Sequence, residues 1–209
     1  MTRRIVVVQA GLGQPSSTRL LADRLATSTR DAMLERGEEA EVTMVDLRDH
    51  AHELANALLT GFAAGGLREV LDDLSQADAL IAVTPVFQAS YSGLFKTFFD
   101  VLEDGLLRGL PVLLAATAGT ARHSLVLEHA MRPMFVYLKA TPVPTAVFAA
   151  SEDWGGATSP SSTAAAPGLS QRIDVAAAEL ADLVTGRPAT LRRANGLADP
   201  VPFEELLDR

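Results

Sequence analysis

Two spacings of hydrophobic residues alternate along the chain. Short apolar runs without polar interruption occur at Ile5–Val8, at Ala79–Val83 (ALIAV) and at Pro111–Thr117 (PVLLAAT). They read as strands buried on both faces of a parallel sheet. Glu41–Leu47 (EVTMVDL) reads as a further strand, second in chain order. Thr141–Ala149 is the fifth, and Pro142 and Pro144 place it at an edge. Between these runs the apolar residues recur at helical spacing. One helix begins near Ser17, with Leu20, Leu21 and Leu25 inward and Asp23 and Arg24 outward. Others are expected over Leu67–Leu74, Gly93–Leu102, Ser124–Lys139 and Leu169–Thr185, and a polar connection with two histidines is expected through Leu54 and Gly61. The Ser-, Ala-, Gly- and Pro-rich stretch 151–168 reads as a loop or lid.

Five strands with intervening helices predict a doubly wound α/β fold, with helices on both faces of a five-stranded parallel sheet. Right-handed crossovers and a reversal beside strand 1 give the order 2-1-3-4-5. Ligands of such sheets sit beyond the carboxyl ends of the strands, so chemistry is expected just after strands 1, 3 and 4. Residues 1–186 then form one domain, and 187–209, with Pro188, Pro200 and Pro202, form a C-terminal extension.

Composition narrows the chemistry. The 209 residues carry a formal charge of −8, which argues against a nucleic-acid partner. No apolar run approaches the roughly 20 residues that span a bilayer, so no membrane association is expected. The opening MTRRIVVVQAGLG is too short in its apolar part for a signal peptide and runs straight into a glycine loop. The chain has no cysteine, which removes disulfides, thiolate nucleophiles and cysteine-rich metal sites and suits the cytoplasm.

The candidate chemistry begins at the first loop, where Gly11 and Gly13 are followed by Ser16, Ser17, Thr18 and Arg19 at a helix start. Free N–H groups, the positive end of a helix dipole and clustered hydroxyls suit a phosphate. The sixth position of a dinucleotide fingerprint is Ser16 rather than glycine, and no G-K-[ST] follows, so a terminal phosphomonoester fits better than a pyrophosphate. The competing reading is that Ser16 or Ser17 simply caps the helix. After strand 3, Thr84-Pro85-Val86-Phe87 and Tyr91 offer a stiff turn and flat faces. After strand 4, Thr117-Ala118-Gly119-Thr120 lets backbone approach a ring edge. Together these suit a flat heteroaromatic mononucleotide.

Through the serine-rich first loop, TPVFQASYSGLFKTFFD (Thr84–Asp100), ATAGTARHSL (Ala116–Leu125) and MRPMFVYLKA (Met131–Ala140), the chain resembles the NAD(P)H-dependent FMN reductases. The likeness is to the flavodoxin-like type that supplies reduced flavin to two-component monooxygenases, as in alkanesulfonate systems. It implies the flavodoxin-like fold, FMN, NADPH or NADH as reductant, a homodimer or homotetramer and a partner monooxygenase. Ser16, Ser17, Thr18 and Arg19 would hold the phosphate. Thr84, Pro85, Val86 and Phe87 would flank the isoalloxazine, and Thr117, Ala118, Gly119 and Thr120 would donate backbone hydrogen bonds to its edge. Hydride transfer asks for no catalytic acid, base or nucleophile from the protein. Ala118 stands where the family's A-T-G-G-T pattern has a glycine, and Phe87 stands where it has a tyrosine. His129 takes the place where some sulfonate-linked relatives carry a tyrosine that marks a helical bulge. Rival readings are an FMN-retaining quinone, azo or metal reductase and a non-catalytic electron carrier.

Other residues invite plainer readings. Lys96 and Asp100 are spaced as an exposed helix pair. Phe95, Phe98 and Phe99 suit either a core or a subunit contact through the helix after strand 3. His123 and His129 are six apart with no third ligand near, so no metal site is expected; His50 and His52 read as solvated. Trp154 reads as an anchor for the following loop, with a cover over a ring as the alternative. No G-x-S-x-G elbow surrounds Ser90 or Ser92.

Overall fold

The computed structural model of the chain describes residues 2–154 and 168–187. The extension from 188 onward and most of the 151–168 stretch lie outside the described residues. Elements follow in the order β1 (Thr2–Gln9), α1 (Ser17–Glu35), β2 (Glu39–Asp46), α2 (Ala51–Thr60), α3 (Gly66–Ser75), β3 (Ala79–Phe87), β4 (Ser90–Tyr91), α4 (Gly93–Asp100), β5 (Pro111–Ala118), α5 (Arg132–Tyr137), β6 (Thr141–Pro142), β7 (Val147–Ala150) and α6 (Leu169–Thr185). The sheet runs β2-β1-β3-β5, with β6 and β7 both parallel to β5 and β4 folded back antiparallel on β3.

The burial of each strand follows its pattern. β3 is buried from Ala79 through Pro85 and β5 from Pro111 through Thr117, whereas edge strand β2 keeps Glu39 and Glu41 in solvent. Strand alternation divides the apolar residues between two cores. Val6, Val8, Leu80, Ala82 and Leu114 face α2, α3, α4 and α5. Ile5, Val7, Ile81, Val83 and Leu113 face α1 and α6. Each side is a sheet face closed by amphipathic helices, which is the doubly wound arrangement.

Three expectations require correction. The sheet has seven strands rather than five. The fifth breaks where Pro144 supplies no N–H: β6 pairs with Pro111 and Val112, and β7 pairs with Ala115–Ala118. In the gap, Glu179 of α6 accepts from the amide and hydroxyl of Thr145, both at 2.7 Å, which satisfies backbone that left the ladder. The expected polar connection contains α2, which escaped notice because it buries only Leu54 and Ala57. Finally, the helix expected over Ser124–Lys139 is three pieces: a 3₁₀ turn at Ala121–His123, a π turn at Leu127–Met131 and α5. Pro133 in the first turn of α5 has no N–H to continue a preceding α-helix.

Phe95 and Phe98 are fully buried and Phe99 nearly so. Phe99 lies 4.8 Å, centroid to centroid, from both Phe95 and Phe135. These rings are the core of the α4–α5 layer, so the subunit-contact reading of α4 through them is withdrawn. Trp154 packs against the α1 side of the core, with the Arg24 guanidinium 5.0 Å above its ring; the loop it is expected to anchor lies outside the described residues.

Candidate active site

Parallel strands bring their carboxyl ends to one rim, where the first loop meets the ends of β1, β3 and β5. The amide of Ala10 donates to the Val83 carbonyl at 3.0 Å, and Pro85 stands opposite Thr117 in the β3–β5 register. The Thr18 and Thr117 hydroxyls lie 2.8 Å apart, and both side chains are buried. This contact fastens the first turn of α1 to the end of β5. The rim therefore unites all three predicted segments.

Within the first loop, Ser16 is the N-cap of α1 and accepts from the Arg19 amide at 3.2 Å. The capping reading is thus correct for Ser16. It does not displace a ligand role, because the Ser17 and Thr18 amides still lack intrahelical acceptors. Ser17 is exposed at the helix start. Gly11 is held closely: a Cβ there would lie 2.1 Å from Ser16 Oγ and 2.8 Å from Gln9 Oε1. Only glycine lets the serine fold back over the loop in this way. Arg19 does not reach freely into solvent. It donates through Nε to Asp23 at 2.9 Å and through Nη1 to Asp46 at 2.7 Å. The Asp23 hydrogen bond and the nearby carboxylate charges hold its pKa above the ordinary arginine value, against partial burial.

At the end of β3, Thr84 is buried and serves the turn. Its hydroxyl donates to the Pro85 carbonyl at 2.9 Å and accepts from the Ser92 amide at 3.0 Å. Between β3 and β4, Gln88 and Ala89 both have positive φ, +48° and +67°. Such hairpin turns favour Asn-Gly, and ordinary side chains there carry strain. The turn presents Phe87 to solvent, 47% exposed, while Val86 packs against the core covered by α2 to α5. After β5, Ala118 is half-buried and Gly119 and Thr120 are exposed. A Cβ on Gly119 would meet nothing within 4 Å. Its backbone is not left-handed, so this glycine leaves space rather than relieving strain.

Sequence reasoning overlooked the end of β2. Gln9, Asp46, Arg48 and Asp49 line a cavity of about 290 Å³ together with Gly11, Ser16 and Arg19. The predicted strand order held the signal: strand 2 lies beside strand 1, so Asp46 falls level with Gln9. A larger groove of about 560 Å³ lies between α1 and α6, but Asp31, Glu35 and Asp174 give it an acidic lining unsuited to a phosphate. Among the described residues there is no group of three metal-ligating side chains and no helix long and apolar enough to cross a membrane.

A doubly wound sheet with a hydroxyl-rich helix start and an exposed aromatic turn at its switch point defines a flavodoxin-like protein. The family model for NADPH-dependent FMN reductase matches residues 3–155, and the chain belongs to that family. It is accordingly an oxidoreductase of the flavin-reducing class. An FMN reductase (NADPH) of Pseudomonas aeruginosa is 36% identical over 191 residues, 91% of this chain and 97% of that protein. The NADH-dependent FMN reductase SfnF of Pseudomonas putida is 36% identical over 149 residues, 71% of this chain and 78% of its own. Among solved structures, an oxidoreductase from Corynebacterium diphtheriae superposes with a TM-score of 0.82 at 43% identity, covering 90% of this chain and 99% of that one. The apo form of an NADH:FMN oxidoreductase superposes at 0.73 with 25% identity, covering 97% and 99%.

Proposed function

We propose that this protein reduces FMN with a hydride from NADPH or NADH and passes reduced FMN to a partner monooxygenase. The observation that carries the site is the convergence of the α1 start, the Phe87 turn and the Gly119 loop on one rim, locked by the Thr18–Thr117 contact. FMN supplies an isoalloxazine that accepts the hydride and later yields two electrons. The chain's own groups bind and orient. The amides of Ser17 and Thr18 and the hydroxyls of Ser16 and Ser17 face the phosphate, with Arg19 beside them, while the Thr18 hydroxyl is held by Thr117. Thr84 and Pro85 set the turn, Val86 ties it to the core, and Phe87 walls one side of the ring. Thr117, Ala118, Gly119 and Thr120 bring backbone to its edge. The fit rests on Gly11, whose missing Cβ keeps the loop closed around Ser16. No side chain is required as acid, base or nucleophile.

The relatives use both nicotinamides, the one named for NADPH and the other for NADH, so either is proposed here. A homodimer or homotetramer and a cytoplasmic setting belong to the same reading, as does a single domain over 1–186. The test is anaerobic NAD(P)H oxidation with FMN or riboflavin, followed by delivery of reduced flavin to a flavin-dependent monooxygenase. Rapid FMN reduction, with weaker binding of FMN but not of riboflavin after Ser17→Ala, is expected. Equal effects on both flavins refute the phosphate assignment. FMN that never leaves during turnover refutes delivery and favours a reductase that keeps its flavin.

A further inference from the structure

We infer that Asp46 and Asp23 neutralise Arg19 at the mouth of the phosphate loop and so keep FMN exchangeable. This rests on reading the first loop as the phosphate site. Arg19 lies in the first turn of α1, where the helix dipole is positive and a cation is disfavoured. That turn contains no acidic residue. The compensation comes from outside it: Asp23 one turn further along and Asp46 at the end of the neighbouring strand, each within hydrogen-bond distance. Arg19 and Asp46 both line the cavity beside Ser16 and Gly11, and so do Arg48 and Asp49. Two arginines and two aspartates leave that lining without net charge.

Gln9 makes the arrangement rigid. Its Nε2 donates to Asp46 Oδ1 at 2.7 Å, which leaves Asp46 Oδ2 for Arg19, and its Oε1 accepts from the Gly11 amide at 2.7 Å. The relay therefore offsets the charge of the Arg19 guanidinium and withholds a loop amide from an incoming phosphate. Arg48 is also engaged, donating to the Leu12 carbonyl at 2.9 Å. A phosphomonoester carries a charge of about −1.5 to −2 and takes its strongest contacts from free guanidinium groups. Here it meets mainly amides, hydroxyls and a helix dipole. A flavin that must leave after each reduction is served by that weaker hold.

The test measures FMN and riboflavin dissociation constants by flavin fluorescence, and FMN release by stopped flow, for Asp46→Asn, Asp23→Asn and each combined with Arg19→Gln. Removing one carboxylate charge is expected to tighten FMN about tenfold, the scale of one charge-assisted hydrogen bond. Release should slow in proportion, riboflavin should change less than about twofold, and FMN binding should become more salt-sensitive. The gain should vanish in the Arg19→Gln background. Asp23 is exposed, so its variant tests the charge without disturbing Gln9. If the wild type discriminates FMN from riboflavin but neither variant tightens FMN, the inference falls and the phosphate site stands. Tightening that survives Arg19→Gln also overturns it. A wild type that holds both flavins equally removes the phosphate reading and this inference together.

Discussion

The hydroxyl pair between Thr18 and Thr117 offers a test in which two changes should cost less than one. Both side chains are 3% exposed, and their oxygens lie 2.8 Å apart. Thr18→Val keeps the shape but strands the Thr117 hydroxyl without water, a penalty of about 1–3 kcal/mol. The added methyl returns up to about 0.8 kcal/mol of apolar burial. Each single variant is therefore expected to lose about 1–2 kcal/mol. In a chain of this length that lowers the melting temperature by roughly 2–8 °C. The double variant strands neither oxygen and gains both methyls, so its stability should return to within about 1 kcal/mol of wild type. Urea denaturation of the four proteins closes the cycle, and the interaction energy should be about 1–3 kcal/mol in favour of the double variant. Additive losses would show that the hydroxyls are not each other's partners. The same contact fixes the start of α1 against β5, so FMN affinity should fall in both single variants.

Gly119→Val places its side chain in open space, so the fold should persist while flavin-dependent NAD(P)H oxidation is lost; a normal rate of anaerobic flavin bleaching would refute the ring placement. His129→Ala, on the exposed surface of the π turn, should leave that rate intact, and a collapse with FMN still bound would expose a hidden acid–base step. Phe95→Ala opens a cavity among Phe99, Phe135 and Tyr91 and should cost about 3–5 kcal/mol in chemical denaturation, where a loss under 1 kcal/mol would contradict its place in the core. The hydrogen bonds from Arg3 hold the Glu38 carboxyl below its ordinary value. Its contribution is complete above the ordinary glutamate value and is lost as pH falls through the lower folded value. Glu38→Gln should flatten that acid-side loss in a melting-temperature profile, and an unchanged profile would refute the pairing.

Much of the architecture was legible because strand burial and helix spacing are local patterns. Val6, Val7 and Val8 have no polar alternative face, so they had to lie inside a covered sheet, and Pro142 and Pro144 put their strand at its edge. The glycine-serine run also announced a helix start with free amides. What no local pattern encodes is the choice of partner across the fold. Arg19 reads as a free cation beside a phosphate until β2 delivers Asp46 beside it, 27 positions along the chain. Thr18 reads as a ligand until Thr117, 99 positions away, takes its hydroxyl. Three phenylalanines on one short helix suit an interface as well as a core until Phe135 closes over them. Helix propensity also left open how residues 121–137 divide into 3₁₀, π and α turns, because the spacing of apolar residues does not distinguish those hydrogen-bond patterns. The sequence by itself determined the layers and the rim on which the three loops meet. Tertiary structure decided which polar groups on that rim are already spoken for, since hydrogen bonds and ion pairs are settled by distances between segments remote in the chain.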